Sequence, residues 1–125
     1  MQLEKEKIID CFYKETNQKN IDFDHGIIEM YVDPSNDFSC SMTWMLRDIN
    51  DQFTNQIFLI GIQDYLKEYF KYVASKRIAN KLTVKFKDGK IIEVTPSWDQ
   101  TIVDEFYSNL PVNKRSKHIG WYDKD

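Results

Sequence analysis

Phe38-Ser39-Cys40-Ser41-Met42-Thr43-Trp44-Met45-Leu46 is the stretch on which the fold turns. Phe38, Cys40, Met42, Trp44 and Leu46 alternate with Ser39, Ser41, Thr43 and Met45. Successive side chains of an extended chain point to opposite faces, so this pattern gives a strand with one apolar face. The other face is small and mostly polar.

Just upstream, Asp33-Pro34-Ser35-Asn36-Asp37 is dense in turn formers, with the proline where a type I turn accepts it. Before that turn, Ile28, Met30 and Val32 alternate with Ile27, Glu29 and Tyr31. Two alternating runs joined by a short turn predict an antiparallel hairpin. A second hairpin is predicted over residues 82–94, around Asp88-Gly89. A two-residue loop would pair Phe86 with Ile91 and Val84 with Glu93, putting a carboxylate on the apolar face. Burying that charge unpaired costs several kcal/mol. The expectation is therefore a three-residue loop with Gly89 left-handed, gathering Leu82, Val84, Phe86, Ile92 and Val94.

Helical spacing fills the rest. Residues 2–16 carry Ile8, Cys11 and Phe12 at steps of three and four, with the aliphatic stem of Glu15. Residues 55–79 repeat the pattern with Phe58, Ile62, Tyr65, Leu66, Tyr69, Phe70 and Val73. Gly61 counts against that helix by about 1 kcal/mol relative to alanine. A strand over residues 57–62 followed by a shorter helix is the alternative. Ser97-Trp98-Asp99-Gln100 matches a capping box, opening a helix with Ile102, Val103, Phe106 and Leu110 inward and a stop at Pro111. The expected fold is α+β: an antiparallel sheet of about four strands, with about three helices mainly on one face.

The chain has 125 residues, 42% hydrophobic and 30% charged, with 4 Gly and 3 Pro. That is the size and composition of a single globular domain with its own core, spanning residues 1–125. The first residues are charged and no apolar run approaches the ~20 residues of a membrane helix. Cys11 and Cys40 fall in core-forming segments and read as free thiols of a reducing compartment. The expected location is the cytoplasm, with no membrane partner.

Charge is uneven. Residues 21–56 hold seven acids (Asp22, Asp24, Glu29, Asp33, Asp37, Asp48 and Asp51) against Arg47, a net −6. Residues 63–90 hold eight bases against three acids, a net +5. Such asymmetry acts on association and solubility. The plainer alternative is a solvated coat whose charges pair internally.

The chemistry-bearing residues are few. Asp22-Phe23-Asp24-His25-Gly26 brings two carboxylates to an imidazole, but a metal or general base would need a distant third group from His118 or a cysteine. The turn at residues 33–37 lacks the glycine and terminal glutamate of a calcium loop. Cys40 could act as a nucleophile with His25 or His118, yet its place between Phe38 and Met42 reads as a buried thiol. CxxC, HExxH, GxSxG, phosphate-loop and dinucleotide signatures are absent. No catalytic residue, metal ligand or cofactor is expected. Lys114-Arg115-Ser116-Lys117-His118, followed by Trp121-Tyr122, mixes bases with aromatics as nucleic-acid binders do. A pI near 5.4 opposes direct nucleic-acid binding.

Small size, acidity, surplus aromatics and missing catalytic signatures together resemble the immunity proteins that bacteria keep against polymorphic and contact-dependent growth-inhibition toxins. The resemblance is one of general type across the chain. It implies a non-enzymatic inhibitor that binds a cognate toxin domain, often a nuclease, one to one. Asp22, Asp24, Asp33, Asp37, Asp48 and Asp51 would meet its basic face, with Tyr31 or Trp44 as an anchor. The alternative is a small ligand-binding or enzymatic domain, with a pocket between sheet and long helix lined by Tyr65, Tyr69 and Trp44. A third expectation is an accessory protein of a phage or mobile element that works as a dimer.

Overall fold

Seven elements follow one another: α1 (Lys5–Gln18), β1 (His25–Asp33), β2 (Ser39–Arg47), α2 (Ile60–Val73), β3 (Lys81–Lys87), β4 (Lys90–Ser97) and α3 (Gln100–Asn109). The computed structural model describes residues 3–18, 22–33, 39–57, 59–73 and 78–109. The turn expected at residues 34–37, together with Phe38, Phe58, Leu110, Pro111 and the basic-aromatic tail, lies outside them.

The strands form one sheet in the order β2-β1-β3-β4, every neighbouring pair antiparallel. β2 and β3 thus run parallel on either side of β1, and α2 carries the chain across between them. Three apolar rows cross the sheet: Met42–Met30–Leu82–Pro96, Trp44–Ile28–Val84–Val94 and Leu46–Gly26–Phe86–Ile91. Ile62, Leu66, Tyr69, Phe70 and Val73 of α2 join Ile8 and Phe12 of α1 and Val103 of α3 in one core with these rows. Phe12 contacts Phe86 at 4.9 Å and Trp44 at 6.4 Å between ring centroids. It therefore lies across β1, where Gly26 adds no side chain. The opposite face is polar: Met45–Ile27–Lys85–Glu93, Thr43–Glu29–Thr83–Thr95 and Ser41–Tyr31–Lys81–Ser97. The α+β architecture is the one the alternation patterns predict.

Three local expectations are corrected. The second hairpin has a two-residue loop, with Asp88 and Gly89 both at positive φ (54° and 74°), as a type I′ turn requires. Phe86 does pair with Ile91, but the register shifts between Lys85 and Phe86, so Val84 faces Val94 and Lys85 faces Glu93. A bulge at Ile92, which is 59% exposed, thus keeps the carboxylate off the apolar face. Second, α2 spans Ile60–Val73, shorter than the expected helix and with no strand in front of it among the described residues. Its start is set from outside: the Glu15 carboxylate of α1 accepts the Gly61 N–H at 3.1 Å, satisfying a first-turn donor. Third, α3 is capped by Asp99, whose carboxylate accepts the Thr101 N–H at 3.0 Å, and not by Ser97. Buried Asn80 holds that cap in place, donating to the Asp99 carbonyl at 2.8 Å and accepting its N–H at 2.7 Å.

Candidate functional site

The end of the sheet where β1 begins and β2 ends gathers most of the polar chemistry. Asp24 is pinned there by its backbone: its N–H donates to the Arg47 carbonyl at 2.8 Å, and its own carbonyl accepts the Gly89 N–H at 2.8 Å. After β2 the chain turns at Asp48. That carboxylate accepts the N–H groups of Asn50 (2.9 Å) and Gln52 (3.1 Å), the self-bonding of a short acidic side chain in a turn. Asp51 takes φ 61°, a conformation that aspartate tolerates better than most residues. Residues 52–54 then fold back along the edge of β2, with Phe53 bridged to Arg47 and the Thr54 N–H on the Leu46 carbonyl.

This geometry clamps His25. Its Nδ1 lies 2.9 Å from Asp24 Oδ2, and its Nε2 lies 2.9 Å from Asp51 Oδ1. Two carboxylates facing both ring nitrogens are best satisfied when both nitrogens donate, which is the imidazolium form. The hydrogen bonds that Asp24 and then Asp51 accept accordingly raise the His25 pKa. An imidazole so held has no lone pair left for general-base work. Arg47 completes the group: its Nη1 donates to the Asp51 carbonyl at 2.7 Å, and its guanidinium sits 3.9 Å over the Phe53 ring. Among the described residues no cluster of three or more His, Cys, Asp or Glu could hold a metal ion. Burial pushes the Cys40 thiol up to about 11. Burial, with Glu15 beside it, also raises that of Cys11.

The structure divides the set of residues expected to meet a partner. Asp24, Asp48 and Asp51 come together at this end, and exposed Asp22 precedes Asp24 by two residues. Asp33 ends β1, eight residues further along and about 26 Å away at ~3.3 Å per residue, and Asp37 lies outside the described residues. Tyr31 and Trp44 stand on opposite faces of the sheet. Trp44 is on the helix-covered face, its indole N–H bonded to Thr54 Oγ1 at 2.8 Å. Tyr31 is on the open one.

Several bases of the second segment pair at home. Lys81 reaches Asp99 at 3.1 Å and Glu29 at 3.8 Å, Lys85 reaches Glu93 at 3.1 Å, and Lys71 reaches Glu68 at 3.8 Å. Tyr65 and Tyr69 line separate clefts on the helical side. One, of about 740 Å³, opens between α1 and α2 around Leu3, Lys7, Asp64 and Tyr65. Another, of about 500 Å³, lies around Leu3, Tyr69, Tyr72 and Ile78. Trp44 lines neither. The parts that sequence reading missed are the Asp51 contact to His25 and the returning Phe53 segment. Only the turn formers Asp48, Asn50 and Asp51 signalled them.

No protein-family model, no curated protein and no solved structure matches the chain. No helix among the described residues is long and apolar enough to cross a membrane.

Proposed function

We propose that this chain is a non-enzymatic binding protein of the immunity type, acting in the cytoplasm, whose acidic sheet end covers a basic face of a cognate toxin domain. The observation that carries the reading is the convergence of Asp24, Asp48 and Asp51 from two separate segments onto one end of the sheet, with exposed Asp22 two residues before Asp24. Asp22 is exposed and the Asp51 side chain is 72% exposed, so their charge reaches solvent. The imidazole bonded at both nitrogens and the protonated thiols agree with a binding role. Carboxylates in this arrangement replace phosphates against a nuclease-like basic face and speed encounter.

The test uses the protein encoded by the open reading frame adjacent to this one in the source genome. Asp22→Lys combined with Asp51→Asn, which keeps a residue tolerant of positive φ, should slow association about tenfold or more and flatten its salt dependence. The control Lys67→Glu on α2 should change the rate little. Equal effects from the two variants, or no binding of wild type to that protein, would refute the reading.

A further inference from the structure

The two edges of the sheet are built differently. β4 is guarded: it carries Lys90 and Glu93, a bulge at Ile92 and Pro96, and its Ile91 N–H is taken by the Tyr13 hydroxyl at 2.9 Å. Charges, bulges and prolines are the usual means by which a protein keeps an edge from pairing with another chain. β2 has none of them before its last residue, Arg47. Residues 39–46 contain no charge and no proline, and β2 pairs with β1 without interruption.

The direction of its hydrogen bonds can be read from its end. The Leu46 carbonyl accepts the Thr54 N–H, so Leu46 faces outward, while the Arg47 carbonyl accepts the Asp24 N–H and faces β1. Alternation then turns the N–H and C=O groups of Cys40, Met42 and Trp44 outward, and those of Ser41, Thr43 and Met45 toward β1. The returning segment covers only the end of the strand, at Leu46 and Arg47. Among the described residues, no backbone group pairs with the outward groups of Cys40, Met42 and Trp44.

We propose that this edge pairs antiparallel with the same edge of a second copy, about a two-fold axis at Met42. The two sheets then become one continuous sheet. Met42 faces its own symmetry mate, Cys40 faces Trp44, and every outward N–H and C=O of the three residues finds a partner. A second copy fits because the outward residues are spaced evenly about Met42, as a self-complementary two-fold interface requires. An uncharged strand also meets itself without like charges opposed. On the open face, Ser41 comes opposite Thr43, two small residues that leave room for close approach. Backbone pairing over so short an edge falls below the ~1,200 Å² of a standard interface. The exposed apolar side chains of Met45, Ile49 and Phe53, 38%, 82% and 62% exposed, flank the edge and extend the contact. The dimer is therefore weak and concentration-dependent. Antiparallel pairing sends the two acidic ends in opposite directions, so it is compatible with the proposed function and does not depend on it.

The experiment is mass measurement across protein concentration, by light scattering or sedimentation, on the full chain of 15.0 kDa. Wild type should shift from monomer toward twice that mass. Ser41→Lys with Thr43→Lys, and separately Ser41→Glu with Thr43→Glu, each place like charges opposite one another and should stay monomeric. An equimolar mixture of the two should restore the dimer, because each lysine then faces a glutamate. Amide exchange on wild type gives a reading that needs no variant. The Met42 and Trp44 amides should be protected at high concentration and exchange freely on dilution, while those of Ser41 and Thr43 stay protected throughout. A wild type that remains monomeric overturns the proposal and leaves the edge to a foreign strand. Charged variants that still dimerise, or a mixture that does not, overturn it as well.

Discussion

Replacing Gly61 by alanine should destabilise this protein, although the same exchange in an isolated helix is stabilising. Gly61 is the second residue of α2, and alanine is worth up to about 1 kcal/mol over glycine in a helix interior, less in a first turn. Here a Cβ would stand 2.7 Å from Cys11 Sγ on α1, with Glu15 Oε1 the next atom at 3.7 Å. Ordinary contact between such atoms begins about 1 Å further out. Overpacking of this kind costs about 1–3 kcal/mol, so the net loss for Gly61→Ala should be about 1–2 kcal/mol. Cys11→Ala removes the obstructing sulfur, and among the described residues outside this helix turn the glutamate oxygen is the other atom within 4 Å. In that background Gly61→Ala should turn mildly stabilising, by about 0.5 kcal/mol. The Glu15 bond to the backbone N–H of residue 61 survives in every variant. Urea unfolding of the four proteins in the cycle should therefore give a coupling of about 2 kcal/mol, within the range for touching residues. Additivity within about 0.5 kcal/mol would show that the two helices do not meet as described.

Gly26 sits at φ 128°, and a Cβ there would collide with the Met45 carbonyl oxygen. Gly26→Ala should cost about 3 kcal/mol or more, and a melting temperature within a degree or two of wild type would contradict that backbone. His25 makes a prediction about pH. Its pKa is raised in the folded protein, so its contribution is fully present below the unfolded value of about 6.5 and is lost as pH rises through the folded value. The stability difference between wild type and His25→Gln should be largest in acid and shrink toward alkaline pH. A difference that is flat with pH would mean that the Asp24–His25–Asp51 clamp is not formed.

Alternation in the strand segments and helical spacing around Ile8, Leu66 and Val103 are local repeats, and they were sufficient for the four strands and the three helices, although for β4 they set Ile92 inward where the structure has Ile91. Burial of the apolar set leaves one arrangement of each period, so element type was legible without neighbours. The functional end was legible only in part. Asp22 and Asp24 are adjacent in sequence and visible as an acidic turn, but the meeting of Asp24 with Asp48 and Asp51 depends on the pairing of β1 with β2. The predicted hairpin already sets the start of β1 beside the end of β2; what no local pattern encodes is the turn that carries the Asp51 carboxylate back to His25.

The sequence alone determined the periods, and with them an α+β domain with a single apolar sheet face, because side-chain direction follows from backbone geometry residue by residue. Tertiary structure decided where the elements stop and what they meet. α2 begins at Ile60 because Glu15 of another helix caps it, and Gly61 is there because two helices approach too closely for a side chain. The second hairpin shows the same division. Its apolar and charged positions demanded that Glu93 avoid the core. Whether a longer loop or a bulge at Ile92 would accomplish this depended on Asp88 and Gly89 adopting a tight turn, and on Val94 having Val84 to pack beside.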